Sequence, residues 1–257
     1  MAAPSVAIII PARYGSTRLP AKPLIKFSGK PMIQHVYERA KRARLAGQVI
    51  VATDDQRIAD AVRSFGGECV LTPEGARSGS DRIALVAKEM TGTEIIINVQ
   101  GDEPLIVPKM IDEAAELLLN DPELRVGTLI RKIENPQEAK NPSIVKVVVD
   151  SGQFAIYFSR SPIPHFRDGT DGLPPARPAY FKHVGLYAFR REFLLEFASW
   201  PTSKLEEIEQ LEQLRMIDRG IRIKTRLTNF ESIPVDTAED ADRVRTLLRE
   251  QQSVQAE

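Results

Sequence analysis

One cysteine, Cys69, stands in the whole chain of 257 residues. It excludes an intramolecular disulfide and any cysteine-built zinc cluster. Its setting, Glu68-Cys69-Val70-Leu71, predicts a small buried hydrophobe. Net charge is lacking too, with 35 Lys plus Arg against 35 Asp plus Glu. That balance disfavours a domain that grips nucleic acid through its phosphates, which calls for an excess of basic residues. Met1 to Ile10 has no basic start and only a short apolar run, cut off by Pro11. It predicts neither a signal peptide nor membrane insertion, and a cytoplasmic location is expected. Several chemical signatures are missing. No G-x-G-x-x-G follows the first apolar run, and Gly29-Lys30 leads into Pro31 rather than a Walker A motif. No G-x-S-x-G elbow and no H-E-x-x-H occurs. The three histidines, His35, His165 and His183, are far apart. His35 lies on an amphipathic stretch and is expected at the surface.

What is present is an ordinary globular composition, 42% apolar and 27% charged, which argues against disorder. At about 150 residues per domain the length allows one or two domains. Val6-Ala7-Ile8-Ile9-Ile10 suits a strand buried on both faces of a parallel sheet. Ile33, Val36, Tyr37 and Ala40 keep helical spacing behind Pro31. The alternation continues with a strand over 48–53, a helix carrying Ile58, Ala61, Val62 and Phe65, and a strand over 68–71. A helix with Ile83, Val86, Ala87 and Met90 follows, then a strand over 94–99 and a helix behind Pro108. Asp54 and Ser80 are the expected N-caps of the second and third helices. Such alternation predicts right-handed βαβ units and a mostly parallel sheet flanked by helices. Ligands then bind at the carboxyl ends of the strands, in the loops after Pro11, Thr53, Thr72 and Gln100.

The rhythm changes after residue 121. Strands over 126–133, 144–150 and 153–159 are expected, the last two joined by the turn Asp150-Ser151-Gly152. Residues 160–179 hold Pro162, Pro164, Pro174, Pro175 and Pro178 and predict a loop over a site. A strand over 181–189 and helices over 192–200 and 204–219 follow, the second with Leu205, Ile208, Leu211 and Leu214 inward. A strand over 221–227 and a helix over 237–249 close the chain. The expected fold is α/β, one compact unit with a smaller antiparallel elaboration.

Residues 1–37 contain no acidic side chain but five basic ones, Arg13, Arg18, Lys22, Lys26 and Lys30. Three lie in Pro11-Ala12-Arg13-Tyr14-Gly15-Ser16-Thr17-Arg18-Leu19-Pro20-Ala21-Lys22-Pro23. Arg makes forked contacts with phosphate oxygens, Lys supplies a compact charge, and Gly15 lets backbone approach a ligand. A triphosphate suits such a loop; a solvated basic loop is the plainer alternative.

The pattern Arg13-x-x-Ser16-Thr17-Arg18-Leu19-Pro20-x-Lys22-Pro23-Leu24 resembles the signature of sugar nucleotidyltransferases. Over nearly its whole length the chain is similar to the 3-deoxy-manno-octulosonate (KDO) cytidylyltransferase family. The supporting segments are Gly29-Lys30-Pro31-Met32-Ile33, Val51-Ala52-Thr53-Asp54, Asn98-Val99-Gln100-Gly101-Asp102-Glu103-Pro104 and Tyr157-Phe158-Ser159-Arg160, followed by His183-Val184-Gly185-Leu186-Tyr187, Leu211-Glu212-Gln213-Leu214-Arg215 and Val235-Asp236-Thr237. The resemblance implies a single nucleotidyltransferase domain over 1–257. Its nucleotide-binding α/β part would span 1–121 and a sugar-binding and dimerisation elaboration about 122–227. Residues 228–257 would return to the main sheet and end in a helix.

The same resemblance implies a reaction in which the anomeric hydroxyl of KDO attacks the α-phosphorus of CTP, for lipopolysaccharide biosynthesis. Asp102 and Asp236 each follow an expected strand end and would together hold Mg²⁺, a hard cation with oxygen ligands. Read alone, Asp236 fits an N-cap with Glu239 three residues on. Arg13 and Lys22 would neutralise the phosphates, and Arg18 and Ser16 would grip the triphosphate. Gln100, which carries a donor and an acceptor, would select the base with Ala12 and Arg82. Arg160, His183, Tyr187, Glu212 and Gln213 would bind the sugar, Arg160 meeting its carboxylate. Alternatively, Tyr187 is core and Glu212 a solvated helix position. The expected partners are CTP, KDO and a second copy of the chain. Other readings are activation of a related acidic sugar, such as an 8-amino KDO analogue or a sialic acid, a nucleotide-sensing binding protein on the same fold, and an RNA-binding scaffold.

Overall fold

The computed structural model describes residues 5–15, 19–167 and 180–255. In chain order these hold β1 (Val6–Ala12), the short hairpin β2 (Lys26–Phe27) and β3 (Lys30–Pro31), α1 (Met32–Ala40), β4 (Gln48–Thr53), α2 (Gln56–Ser64), β5 (Glu68–Leu71), α3 (Gly79–Glu89), β6 (Ile95–Asn98) and α4 (Pro108–Asn120). There follow β7 (Val126–Lys132), α5 (Pro136–Lys140), β8 (Lys146–Val149), β9 (Ala155–Ser159), β10 (Phe181–Arg190), α6 (Arg191–Ser199), α7 (Lys204–Glu209), α8 (Leu214–Asp218), β11 (Lys224–Leu227) and α9 (Ala238–Gln255).

The central sheet runs β11-β7-β10-β6-β1-β4-β5, with β8 and β9 joined to β10 at one side. Strands β6, β1, β4 and β5 are parallel, as their unbroken apolar runs predict. β10 enters antiparallel between β6 and β7. The architecture is therefore the expected α/β class, with the antiparallel addition continuous with the main sheet. One sheet face, carrying Ile8 and Ile10, packs on α1, α2 and α4. The other, carrying Ala7 and Ile9, packs on α3, α6 and α8. A third cluster around Phe27, Met32, Val235 and Val244 seats α9 on the hairpin.

The chain goes from β1 outward through β4 and β5, then crosses to place β6 on the other side of β1. This is a topological switch point, where loops diverge and leave a crevice at the strand ends. Gly101, after β6, lets the two loops meet there: a Cβ on it would stand 2.7 Å from the Pro11 carbonyl oxygen. Beside the crevice, the β10–β7 register shifts between Val184 and Tyr187. Such irregularities re-aim side chains near sites.

Several local expectations change. His35 is buried, because the β2–β3 hairpin covers it and its Nε2 lies 2.9 Å from the Phe27 carbonyl oxygen. Cys69 is half-buried near the sheet edge. Asp55, not Asp54, caps α2, accepting from the Arg57 amide at 2.9 Å, because the Asp54 carboxylate is turned to Arg82. Ser78, not Ser80, caps α3. The helix expected over 204–219 is two helices, broken at Gln210 in the left-handed region with φ 53°. Ile208 is consequently 78% exposed rather than inward. After Leu227 the main sheet gains no strand among the described residues; β11 is its last, and the chain returns to the site instead through the Val235 amide, which donates to the Asp102 carbonyl at 2.9 Å. None of the helices among the described residues is long and apolar enough to cross a membrane.

Candidate active site

Two clefts open at the carboxyl ends of β1 and β6. The first, of about 350 Å³, is lined by Ala12, Arg13, Lys22, Arg82, Gln100, Asp102 and Asp236, among others. The second, of about 370 Å³, is lined by Arg160, His183, Tyr187, Glu212, Gln213, Gln100 and Asp236. Gln100 and Asp236 border both, so the clefts meet between them. Ser16 and Arg18 lie outside the described residues.

At the junction, three residues from distant parts of the chain converge. Lys22 Nζ donates to Asp102 Oδ2 at 2.7 Å and to Asp236 Oδ1 at 3.0 Å. Burial works to lower the pKa of this ammonium, but the two carboxylates outweigh it and hold the pKa above its ordinary value. Lys22 sits in a short 3₁₀ turn entered through Ala21 at φ 56°. Asp236 does not act as the expected helix cap. Its own amide and that of Thr237 donate to Asp240 Oδ2 at 3.0 and 2.9 Å, and Thr237 Oγ1 accepts from the Asp240 amide. This reciprocal arrangement stiffens the backbone that presents the Asp236 carboxylate.

Arg13 is exposed at the rim of the first cleft. Arg82 forms its floor, buried to 4% exposure, with Nη1 donating to Thr72 Oγ1 and Nη2 to Asp54 Oδ2, each at 2.5 Å. A guanidinium so held is a fixed positive surface. Gln100 donates from Nε2 to the Gly185 carbonyl at 3.3 Å, which orients its carboxamide between the clefts.

In the second cleft, Glu212 is gripped by α3. Ser80 Oγ donates to Oε2 at 3.0 Å, and Ser78 Oγ donates to Oε1. Burial raises the Glu212 pKa against the opposing pull of these hydroxyls and Arg215. His183 and Tyr187 lie 5.2 Å apart between centroids, their rings tilted at 51°, on one face of β10. Burial lowers the His183 pKa to about 3, so its imidazole is neutral near pH 7, with Nε2 3.2 Å from Thr128 Oγ1. Arg160 lines the cleft, but its guanidinium donates to three carbonyls, Glu209 at 2.8 Å, Pro142 at 3.0 Å and Gln210 at 3.2 Å. Its structural engagement is therefore larger than a simple contact for the sugar carboxylate requires. Sequence reasoning missed Asn98 in the second cleft, and Arg77 and Ser78 in the first. Asn98 had a signal, a polar residue ending the apolar run Ile95-Ile96-Ile97.

The donor set fits a hard divalent cation. Two carboxylates already aim at one cationic centre, and a site of this kind completes its shell with phosphate and water oxygens. Among the described residues there is no cluster of three or more acidic, His or Cys side chains that would form a closed protein cage.

The profile of the cytidylyltransferase family matches residues 7–223. A 3-deoxy-manno-octulosonate cytidylyltransferase of Geobacter sulfurreducens is 51% identical over 250 residues, covering 95% of this chain and 100% of that protein. Another, of Geotalea daltonii, is 50% identical over 250 residues, covering 95% and 98%. Among solved structures, a CMP:2-keto-3-deoxy-manno-octonic acid synthetase complexed with CTP superposes with a TM-score of 0.88 at 45% identity, covering 96% of this chain and 99% of that one. In sequence and in fold alike, the chain belongs to the cytidylyltransferase family, among the 3-deoxy-manno-octulosonate cytidylyltransferases.

Proposed function

We propose that this protein transfers CMP from CTP to KDO and releases pyrophosphate, the activation step that lipopolysaccharide biosynthesis requires. One observation carries the reading beyond family membership: a basic cleft and a polar cleft of similar volume meet at Gln100 and Asp236, where two carboxylates converge on one cation. The first cleft takes CTP, with Arg13 and Lys22 offsetting phosphate charge and Gln100 and Arg82 on the side of the base. The second takes KDO, with His183, Tyr187, Glu212 and Gln213 facing its hydroxyls.

The anomeric oxygen of KDO attacks the α-phosphorus. A new O–P bond forms, the bond to the β-phosphate breaks, the pair of electrons leaves with pyrophosphate, and the hydroxyl proton passes to solvent. Transfers at phosphorus depend on positioning and charge stabilisation more than on a covalent residue. The chain supplies both: Gln100 and Arg82 fix the nucleotide side, and the β10 face fixes the sugar side. Asp102 and Asp236 would hold Mg²⁺, which as a Lewis acid offsets phosphate charge and lowers the pKa of a bound hydroxyl. With the carboxylates so engaged, Lys22 Nζ would turn its charge to the phosphates.

A homodimer and a cytoplasmic location complete the proposal. Ile156 on β9 is 54% exposed and Ile208 on α7 is 78% exposed, an apolar pair on neighbouring elements of the antiparallel addition. CTP as substrate supports the cytoplasm. Purified protein with CTP, Mg²⁺ and a panel of acidic sugars tests the reaction by pyrophosphate release. KDO should give the highest kcat/KM, above an 8-amino analogue and a sialic acid, and chelation of the metal should abolish release. No release with KDO would overturn the reading.

A further inference from the structure

We propose that Asn98 is a sugar-specificity residue, its carboxamide accepting a hydroxyl proton of the acidic sugar opposite Tyr187. The inference rests on the second cleft being the sugar site.

Asn98 is the last residue of β6, only 2% exposed, and it lines the second cleft. It follows three isoleucines whose burial is complete. A fourth apolar residue would continue the strand at no cost, so a polar one there needs a reason. No hydrogen bond reaches the buried Oδ1 from any described residue. The buried Tyr187 hydroxyl and the buried Gln213 Nε2 are in the same condition. Thr128 is the polar side chain beside the tyrosine hydroxyl, and because it donates its own proton to the Leu186 carbonyl at 2.8 Å it can only accept there, which leaves the tyrosine oxygen in want of a donor.

These orphaned atoms share one place. Asn98 and Tyr187 are directly opposed in the antiparallel β6–β10 register, so both side chains leave the same face of the sheet. That face, continued by Ile96 and Phe189, belongs to the core shared with α6 and α8. Gln213, at the entry to α8, closes the cleft from the other side. Folded proteins pair nearly all their buried polar groups, so unpaired ones gathered on one cavity point to a ligand that completes them. The set offers an acceptor, a donor and a hydroxyl that is both, which is the complement of a polyol. Asn98 Oδ1 needs a donor, which a sugar hydroxyl supplies and a deoxy carbon does not.

Asn98→Leu, which keeps the shape and removes the polar atoms, tests this by steady-state kinetics and thermal unfolding. The KM for KDO should rise about tenfold or more while the KM for CTP stays within about twofold. The melting temperature of the free protein should hold or rise, because an unpaired polar group has been removed from its interior. Deoxy-KDO analogues should show the same penalty in the wild type. For the one analogue lacking the hydroxyl that Asn98 accepts, the variant should bind as well as the wild type. An unchanged KM for KDO would overturn the assignment. So would a fall in melting temperature with both KM values rising together, which is the signature of a structural asparagine. Should the leucine variant not fold, Asn98→Asp sets a carboxylate against the acidic sugar; its KM for KDO must rise, and an unaltered value refutes the assignment. Wild-type turnover of KDO in the same assay separates the two claims, since its absence would sink the reaction itself rather than the role of Asn98.

Discussion

Lys22, Asp102 and Asp236 form a charge cluster in which the ammonium holds the two carboxylates together. Asp236 is 36% exposed, so its ion pair with Lys22 adds little to stability. In the proposed reaction Asp236 would instead serve as a ligand of Mg²⁺. Asp236→Asn should therefore lower kcat by about a hundredfold or more while the melting temperature moves little. Steady-state kinetics beside a thermal melt checks this, and normal turnover would refute the metal assignment. His183 gives a prediction in pH. The folded imidazole titrates at about 3 against 6.5 in the unfolded chain. Between those values the unfolded chain binds a proton that the folded chain refuses. The stability linked to this group is complete above pH 6.5 and falls as pH drops toward 3. His183→Gln should flatten that part of the acid limb in melts recorded across this range; an unchanged slope would contradict the buried neutral state. Asp102, Asp236 and Lys22 were legible from the sequence through the family resemblance of their motifs; read alone, Asp236 suited a helix cap. Their convergence was not, since it depends on loops that only the fold brings together.

At the scale of elements, the parallel half of the sheet was readable. Strands β1, β4 and β6 are apolar runs buried on both faces, β5 is a largely exposed edge strand, and the helices between them carry one apolar stripe each. The break between α7 and α8 was not readable, because Lys204 to Arg219 is a continuous stretch of good helix formers. Tertiary contacts override that propensity. Arg160 donates to the carbonyls of Glu209 and Gln210, and the Glu209 carboxylate accepts from Ser159 Oγ at 2.5 Å and the Arg160 amide at 2.9 Å. The break is useful, since it turns Glu212 and Gln213 into the second cleft. Arg215 then ties the two helices, with Nε and Nη2 each donating to the Glu206 carboxylate at 2.7 Å in a pocket where Arg215 is 1% exposed. Arg215→Leu would leave Glu206 without its buried partner and should cost about 3 kcal/mol of stability. Denaturant unfolding measures it, and a loss below about 1 kcal/mol would show that the pair does not hold this segment.

Across the whole molecule, the fold brings two chemically different clefts to one switch point. β1 and the loop after β6 border the first cleft, and β10 with the end of β6 borders the second. The zero net charge of the sequence conceals this layout, because the basic loop near the amino end is offset by acids far downstream. Attack on the α-phosphorus by a sugar oxygen fixes which products form, and phosphorus NMR of the protein with CTP, KDO and Mg²⁺ identifies them. The signals of CTP should give way to equal amounts of a CMP-sugar phosphodiester and pyrophosphate. Formation of CDP with inorganic phosphate, or a spectrum in which CTP persists, would contradict it.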